Sequence, residues 1–129
     1  MTENYILYGG ELSYFTRKLE AALIFYGADF EFRAKTNDNR ELLELRSGTH
    51  QVPVLKTPEN WLIADTTPIL TLLDSRFPNR SMFPEGKLGV LVHLLEEYFD
   101  EWIPMWGISE KEGIRTIWSY KKRSFIYLR

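Results

Sequence analysis

Two places in the chain bring together residue types that could do chemistry on a small molecule. One is Val52-Pro53, inside the apolar run Gln51-Val52-Pro53-Val54-Leu55. Proline has no N–H to give to a ladder, so the main chain of Val52 is left able to pair with a ligand. The other is Asp65-Thr66, which stands where a helix N-cap belongs. A carboxylate, a hydroxyl and the positive end of a helix dipole then meet in one spot. Together the two places could grip a small peptide-like molecule by its backbone and its charged ends.

The bulk of the sequence narrows the chemistry further. There is no cysteine, which excludes disulfides, thiolate–metal sites, cysteine nucleophiles and dithiol redox chemistry. The net charge is −2, from 16 basic and 18 acidic residues. That balance argues against a nucleic-acid surface over the whole chain. The opening MTENYILYGG carries no basic stretch before an apolar run, so no secretory signal is expected. No apolar run approaches the roughly 20 residues that cross a membrane. A cytoplasmic protein is the expectation.

The elements that must position these residues can be read in order. Tyr5-Ile6-Leu7-Tyr8 is a short apolar strand closed by Gly9-Gly10. Ser13 precedes a helix that runs to Tyr26, with Leu19, Ala22, Leu23 and Tyr26 at helical spacing and Gly27 as the stop. Asp29 to Ala34 alternates as a strand. Strand, helix and strand over so short a span make a βαβ unit with a parallel pair. Lys35 to Asn39 reads as polar loop, and Arg40 to Arg46 as a short helix. Strands at Gln51–Leu55 and Trp61–Ala64 flank the turn Thr57-Pro58-Glu59-Asn60. A helix from Thr66 to Arg76 follows, with Ile69, Leu70, Leu72 and Leu73 facing a core.

The last third is helical. Residues 79–84 read as a proline-containing linker between a first domain, 1–78, and a short C-terminal region, 85–129. A helix is expected over Gly86–Trp102, with Leu88, Leu91, Val92, Leu95, Phe99 and Trp102 in one stripe, ending at Pro104. Ser109-Glu110-Lys111-Glu112 fits a capping box for another helix. The tail is basic: Lys111, Arg115, Lys121, Lys122, Arg123 and Arg129 against Glu110 and Glu112. Its simplest reading is a helix with one apolar side packed on the core.

This order of elements, with QVPVL, the Asp65-Thr66 pair ahead of Ile69, and LLDSRFPNRSMFP as a linker, resembles the N-terminal domain of soluble glutathione S-transferases. The likeness covers roughly Asn4 to Pro84. It implies an α/β, thioredoxin-like βαβ-ββα domain with a mixed four-stranded sheet and a cis bond before Pro53. A truncated α-helical region would follow, in place of the family's several helices. Glutathione would be a co-substrate, with no metal and no other cofactor, and a small hydrophobic electrophile would be its target. A homodimer is expected; membrane and nucleic-acid partners are not.

The resemblance also assigns roles to residues. Ser13 would stand beside the glutathione sulfur, where a hydroxyl donor and a helix N-terminus both favour the thiolate. Tyr8, near the end of the first strand, is the rival for that role; it also suits a core aromatic with a wet tip. Val52 and Pro53 would present main chain to the cysteinyl part. Asp65 and Thr66 would hold the γ-glutamyl end, and His50 and Gln51 the glycyl carboxylate. Lys35 or Arg40 is the candidate for an extra cation there. Ser13-Tyr14-Phe15-Thr16 lies where thioredoxin relatives carry a pair of cysteines, so disulfide exchange through this motif is impossible. Two functions remain open: a transferase that activates the thiol, and a non-catalytic glutathione-binding or protein-interaction module.

Overall fold

In a computed structural model, residues 4–112 are described. The elements are β1 (Tyr5–Gly9), α1 (Tyr14–Tyr26), β2 (Phe30–Ala34), α2 (Asn37–Ser47), β3 (Val54–Lys56), β4 (Leu62–Ala64), α3 (Thr66–Arg76), a 3-10 turn (Pro78–Arg80) and α4 (Gly86–Glu112). The strands form one mixed sheet in the order β2-β1-β3-β4. β1 runs parallel to β2, and the other two pairings are antiparallel. Leu7 sits opposite Phe32 on one side and Leu55 on the other, and Leu55 sits opposite Ile63. This is the thioredoxin-like arrangement that the resemblance implies.

Alternation along β1 decides what each face does. Tyr5, Leu7 and Gly9 are buried, whereas Ile6 and Tyr8 are half-buried on the opposite face. The first face carries α1 and α3. A Cβ on Gly9 would overlap the Thr16 side chain of α1, and Arg76 of α3 donates to the Tyr5 hydroxyl at 2.8 Å. The core between sheet and helices is Leu7, Leu19, Leu23, Leu55, Ile69 and Leu73, all fully buried. Each such side chain contributes about 1.5–3 kcal/mol of transfer free energy.

The ends of α1 follow the sequence closely. Ser13 caps its start, and Gly27, at φ 70°, supplies the left-handed residue that closes it. α2 is longer than expected, beginning at Asn37 rather than Arg40. Asn39 is the reason. Its side-chain oxygen accepts the Thr36 N–H at 2.9 Å and its amide nitrogen donates to the Ala34 carbonyl at 3.0 Å. The start of the helix is therefore satisfied by a residue that reads as loop.

Between α3 and the compact unit that begins at Phe83, the chain is tied back by one carboxylate. Asp74 accepts from the Tyr26 hydroxyl at 2.8 Å, from the Ser81 hydroxyl at 2.7 Å and from the Met82 N–H. Arg80 donates to the Phe25 carbonyl at 2.8 Å, and Tyr26 stacks on Phe77 with centroids 5.7 Å apart. The boundary between the two compact units falls after Met82.

Within the second unit, α4 is continuous from Gly86 to Glu112. The stop expected at Pro104 is absent, as is the helix start at Ser109, which lies inside α4. A proline removes one amide donor and crowds one carbonyl, and the neighbouring turns keep their own bonds. His93 stacks on Phe83 with centroids 4.4 Å apart. Leu88, Leu91, Leu95, Phe99 and Trp102 stay well exposed, from 43% to 59%. The rest of the basic tail, 113–129, lies outside the described residues. Among the described residues, no helix is long and apolar enough to cross a membrane.

Candidate functional site

The candidate residues lie on two loops at the ends of strands and at the first turns of two helices. Gly9-Gly10 leaves β1 and turns into α1 through Ser13. The turn is held by Ser13 N–H to the Gly10 carbonyl at 3.0 Å and by Gly10 N–H to the Thr16 hydroxyl at 3.2 Å. Arg17 fastens the outer edge by donating to the Glu11 carbonyl at 2.9 Å. Leu12 between them is fully exposed.

Ser13 is half-buried with an extended backbone, φ −78° and ψ 122°. Its Oγ accepts the Thr16 N–H at 3.3 Å. The cap therefore uses the oxygen's lone pair and leaves the hydroxyl proton available to donate outward. An anion placed there would also feel the positive end of α1.

Tyr8 is placed differently. It leaves β1 on the face opposite α1, in register with Arg33 of β2. The Tyr8 hydroxyl and Arg33 are hydrogen-bond partners, which helps to hold the guanidinium above its ordinary pKa; the larger cause is Glu31, bonded to Arg33 at 2.8 and 2.9 Å. Tyr8 thus leaves the sheet on the face opposite the helix that Ser13 caps.

The second wall runs from His50 to Pro53. His50 and Gln51 are exposed, Val52 is half-buried and Pro53 is buried. The Val52–Pro53 peptide bond is cis, as the resemblance implies. β3 begins only at Val54, so Val52 and Pro53 precede the strand and do not form its first pair. Gln51 N–H donates to the Thr49 hydroxyl at 3.1 Å. Lys35, with its side chain 8% exposed, donates to the His50 carbonyl at 2.7 Å and pairs with Glu44 at 3.0 Å. Arg40 pairs with the same Glu44 oxygen at 2.9 Å. The two cations hold the Glu44 carboxyl below the usual carboxylate range, Lys35 first.

The third part is the start of α3. Asp65 occupies the cap position, but its side chain makes no cap bond. The reason is its backbone, φ 74° and ψ 135°. That region suits glycine, and a non-glycine residue there costs of order 1–3 kcal/mol. Its carbonyl still accepts from Ile69, at 3.4 Å. The carboxylate is exposed and makes no bond to the helix it precedes. Thr66, the next residue, is 3% exposed.

Three parts of the arrangement are not visible in sequence patterns. A lysine after a strand does not announce that it will bond a carbonyl fifteen positions on. The positive φ of Asp65 has no signal in its residue type beyond the tolerance of Asp for such conformations. Thr16 reads as the remnant of a dithiol motif, and the structure makes it the residue that holds Gly10.

Comparison with known proteins agrees with this fold. The pattern of the glutathione S-transferase N-terminal domain matches residues 7–81. That is more than half of the chain, and the chain belongs to the glutathione S-transferase family by this domain. Among solved structures, it is similar to the tau-class glutathione S-transferase of mango, Mangifera indica, at 19% identity and a TM-score of 0.71. That likeness covers 95% of this chain and 58% of that one. A glutathione S-transferase from Rhodospirillum rubrum F11 is 26% identical, with a TM-score of 0.67, over 74% of this chain and 44% of that one. Another from Methylobacterium radiotolerans, in complex with glutathione sulfonate, is 26% identical, with a TM-score of 0.59, over 67% and 42%. The chain therefore spans between 42% and 58% of the length of these three. No curated protein matches it.

Proposed function

We propose that this protein binds glutathione between the Ser13 turn, the Val52–Pro53 edge and the start of α3, and makes its thiol easier to ionise. Val52 gives main chain to the cysteinyl unit. Asp65 and Thr66 take the γ-glutamyl end, with the Asp65 carboxylate toward the ammonium. His50 and Gln51 lie toward the glycyl carboxylate. The bound sulfur sits over the N-terminus of α1 and accepts the Ser13 hydroxyl proton as a hydrogen bond.

The observation that carries this reading is the cap geometry at Ser13. Its oxygen accepts from Thr16 N–H, which leaves its proton able to donate to a bound sulfur. The strained Asp65 supports it, because an exposed carboxylate that makes no cap bond is available to a ligand cation. So does the Methylobacterium radiotolerans relative, which was solved with a glutathione derivative bound.

As an enzyme, the protein would be a glutathione transferase working by thiolate stabilisation and proximity. The thiolate sulfur attacks an electrophilic carbon, a carbon–sulfur bond forms, and the leaving group departs with its electron pair. The thiol proton goes to solvent, and no covalent enzyme intermediate is needed. We place this activity in the cytoplasm, on small apolar electrophiles in the manner of detoxification. The exposed apolar stripe of α4 favours a homodimer.

A second reading keeps the binding and drops the turnover. The same stripe favours it, because Leu88, Leu91 and Leu95 are available to bind another protein. Calorimetric titration with glutathione, followed by a conjugation assay with a generic aromatic electrophile, separates the cases. Binding with turnover is the expected result. Binding without turnover leaves the module, and no binding removes both readings.

A further inference from the structure

Lys35 stands immediately after β2, where its main chain bonds the end of β1 and its side chain bonds the loop before Pro53. Its N–H donates to the Gly9 carbonyl at 2.9 Å, at the root of the turn that presents Ser13. Its ammonium donates to the His50 carbonyl at 2.7 Å, two residues before Val52. Glu44 of α2 holds the ammonium from behind at 3.0 Å, and Arg40 steadies Glu44 at 2.9 Å. Only 8% of the Lys35 side chain is exposed, against 58% for Arg40. A lysine so covered, with two partners in fixed geometry, has lost the rotamer freedom that a surface lysine keeps.

We propose that Lys35 is a positioning residue, a cross-brace that sets the distance between the Ser13 turn and the Val52–Pro53 edge. It touches neither the thiol nor the electrophile. The His50–Val52 segment lies outside any strand, and the brace holds it through the His50 carbonyl. With the brace removed, the segment has to be ordered by the ligand itself, and affinity falls by the cost of that ordering. This inference rests on the glutathione-binding reading for its ligand but not for its geometry.

Glutathione titration and amide hydrogen exchange on the full chain, for wild type, Lys35→Met and Lys35→Arg, test it. Lys35→Met is expected to weaken glutathione binding about tenfold, in line with losing a hydrogen bond to a charged donor. Exchange at Gln51 and Val52 should quicken while exchange at Leu7 and Leu55 stays unchanged. Lys35→Arg should recover at least half of the lost affinity. Binding by Lys35→Met within about twofold of wild type would overturn the proposal, whatever its melting temperature. If wild type does not bind glutathione, the functional reading fails and exchange alone decides the brace: faster exchange at Gln51 and Val52 upholds it, and unchanged exchange overturns it. Should Lys35→Met not fold, Lys35→Gln takes its place under the same criteria.

Discussion

Ser13 caps a helix with its lone pair and keeps its proton for a partner. The two roles separate on mutation. Ser13→Ala loses the cap, at about 1 kcal/mol of stability, and it also loses the donor to the sulfur. A hydrogen bond to a charged acceptor is worth about 1.5–3 kcal/mol, so kcat/KM should fall by about 10- to 100-fold in a conjugation assay. Tyr8→Phe should leave kcat/KM within about threefold, because a bond to an exposed arginine is worth little; a larger loss would assign the thiol to Tyr8 rather than Ser13. Asp65→Gly is expected to split stability from function. Glycine accepts φ 74° without strain, so the melting temperature should hold or rise. Glutathione affinity should drop about tenfold with loss of the carboxylate. A variant that bound as well as wild type would remove Asp65 from the site. Ser13 and the Asp65–Thr66 pair are legible in sequence because cap positions are local. The partners of Tyr8 and Lys35 are not, since they depend on strand register and on a loop fifteen residues away.

Elements were legible where a period and a stop coincide. α1 shows this best: Leu19, Ala22, Leu23 and Tyr26 repeat at helical spacing and Gly27 ends it. The start of α2 was hidden because Asn39, not an acidic residue, completes the cap, and α4 ran through Pro104 because one missing donor does not unmake a long helix. Packing between elements supplies two further tests. Gly9→Ala would push against Thr16, which holds Gly10; overpacking of this kind costs about 1–3 kcal/mol. Urea unfolding should show that loss, and glutathione affinity should fall with it. An unchanged midpoint would mean that α1 can shift away. The Tyr26 hydroxyl is the second case. Burial first, and then Asp74, push its pKa well above the ordinary value. The neutral form is the one the fold favours, so the stabilisation is present below about pH 10 and is lost as pH rises beyond it. Thermal melts between about pH 8 and 11 should show a steeper alkaline decline for wild type than for Tyr26→Phe. Parallel profiles would mean that Tyr26 ionises no differently in the folded and unfolded chain.

At the scale of the molecule, a glutathione S-transferase N-terminal domain is followed by a helix whose apolar stripe faces solvent. Burial of such a stripe across a two-fold axis is the simplest way to cover it. Sedimentation should therefore report a dimer, and Leu95→Glu should convert it to a monomer; a wild-type monomer with unchanged glutathione affinity would favour the module reading. The mixed four-stranded sheet followed from the family resemblance, and the buried sides of α1 and α3 from their helical period. The fate of the α4 stripe did not, because hydrophobicity alone does not say what covers a surface. The central claim is that the bound sulfur loses its proton more easily than in water, and the direct measurement is thiolate absorbance of the glutathione complex as a function of pH. The expected result is an apparent thiol pKa at least about one unit below the ordinary value near 8.5, moving back toward it in Ser13→Ala. A complex that titrates like free glutathione would contradict the account.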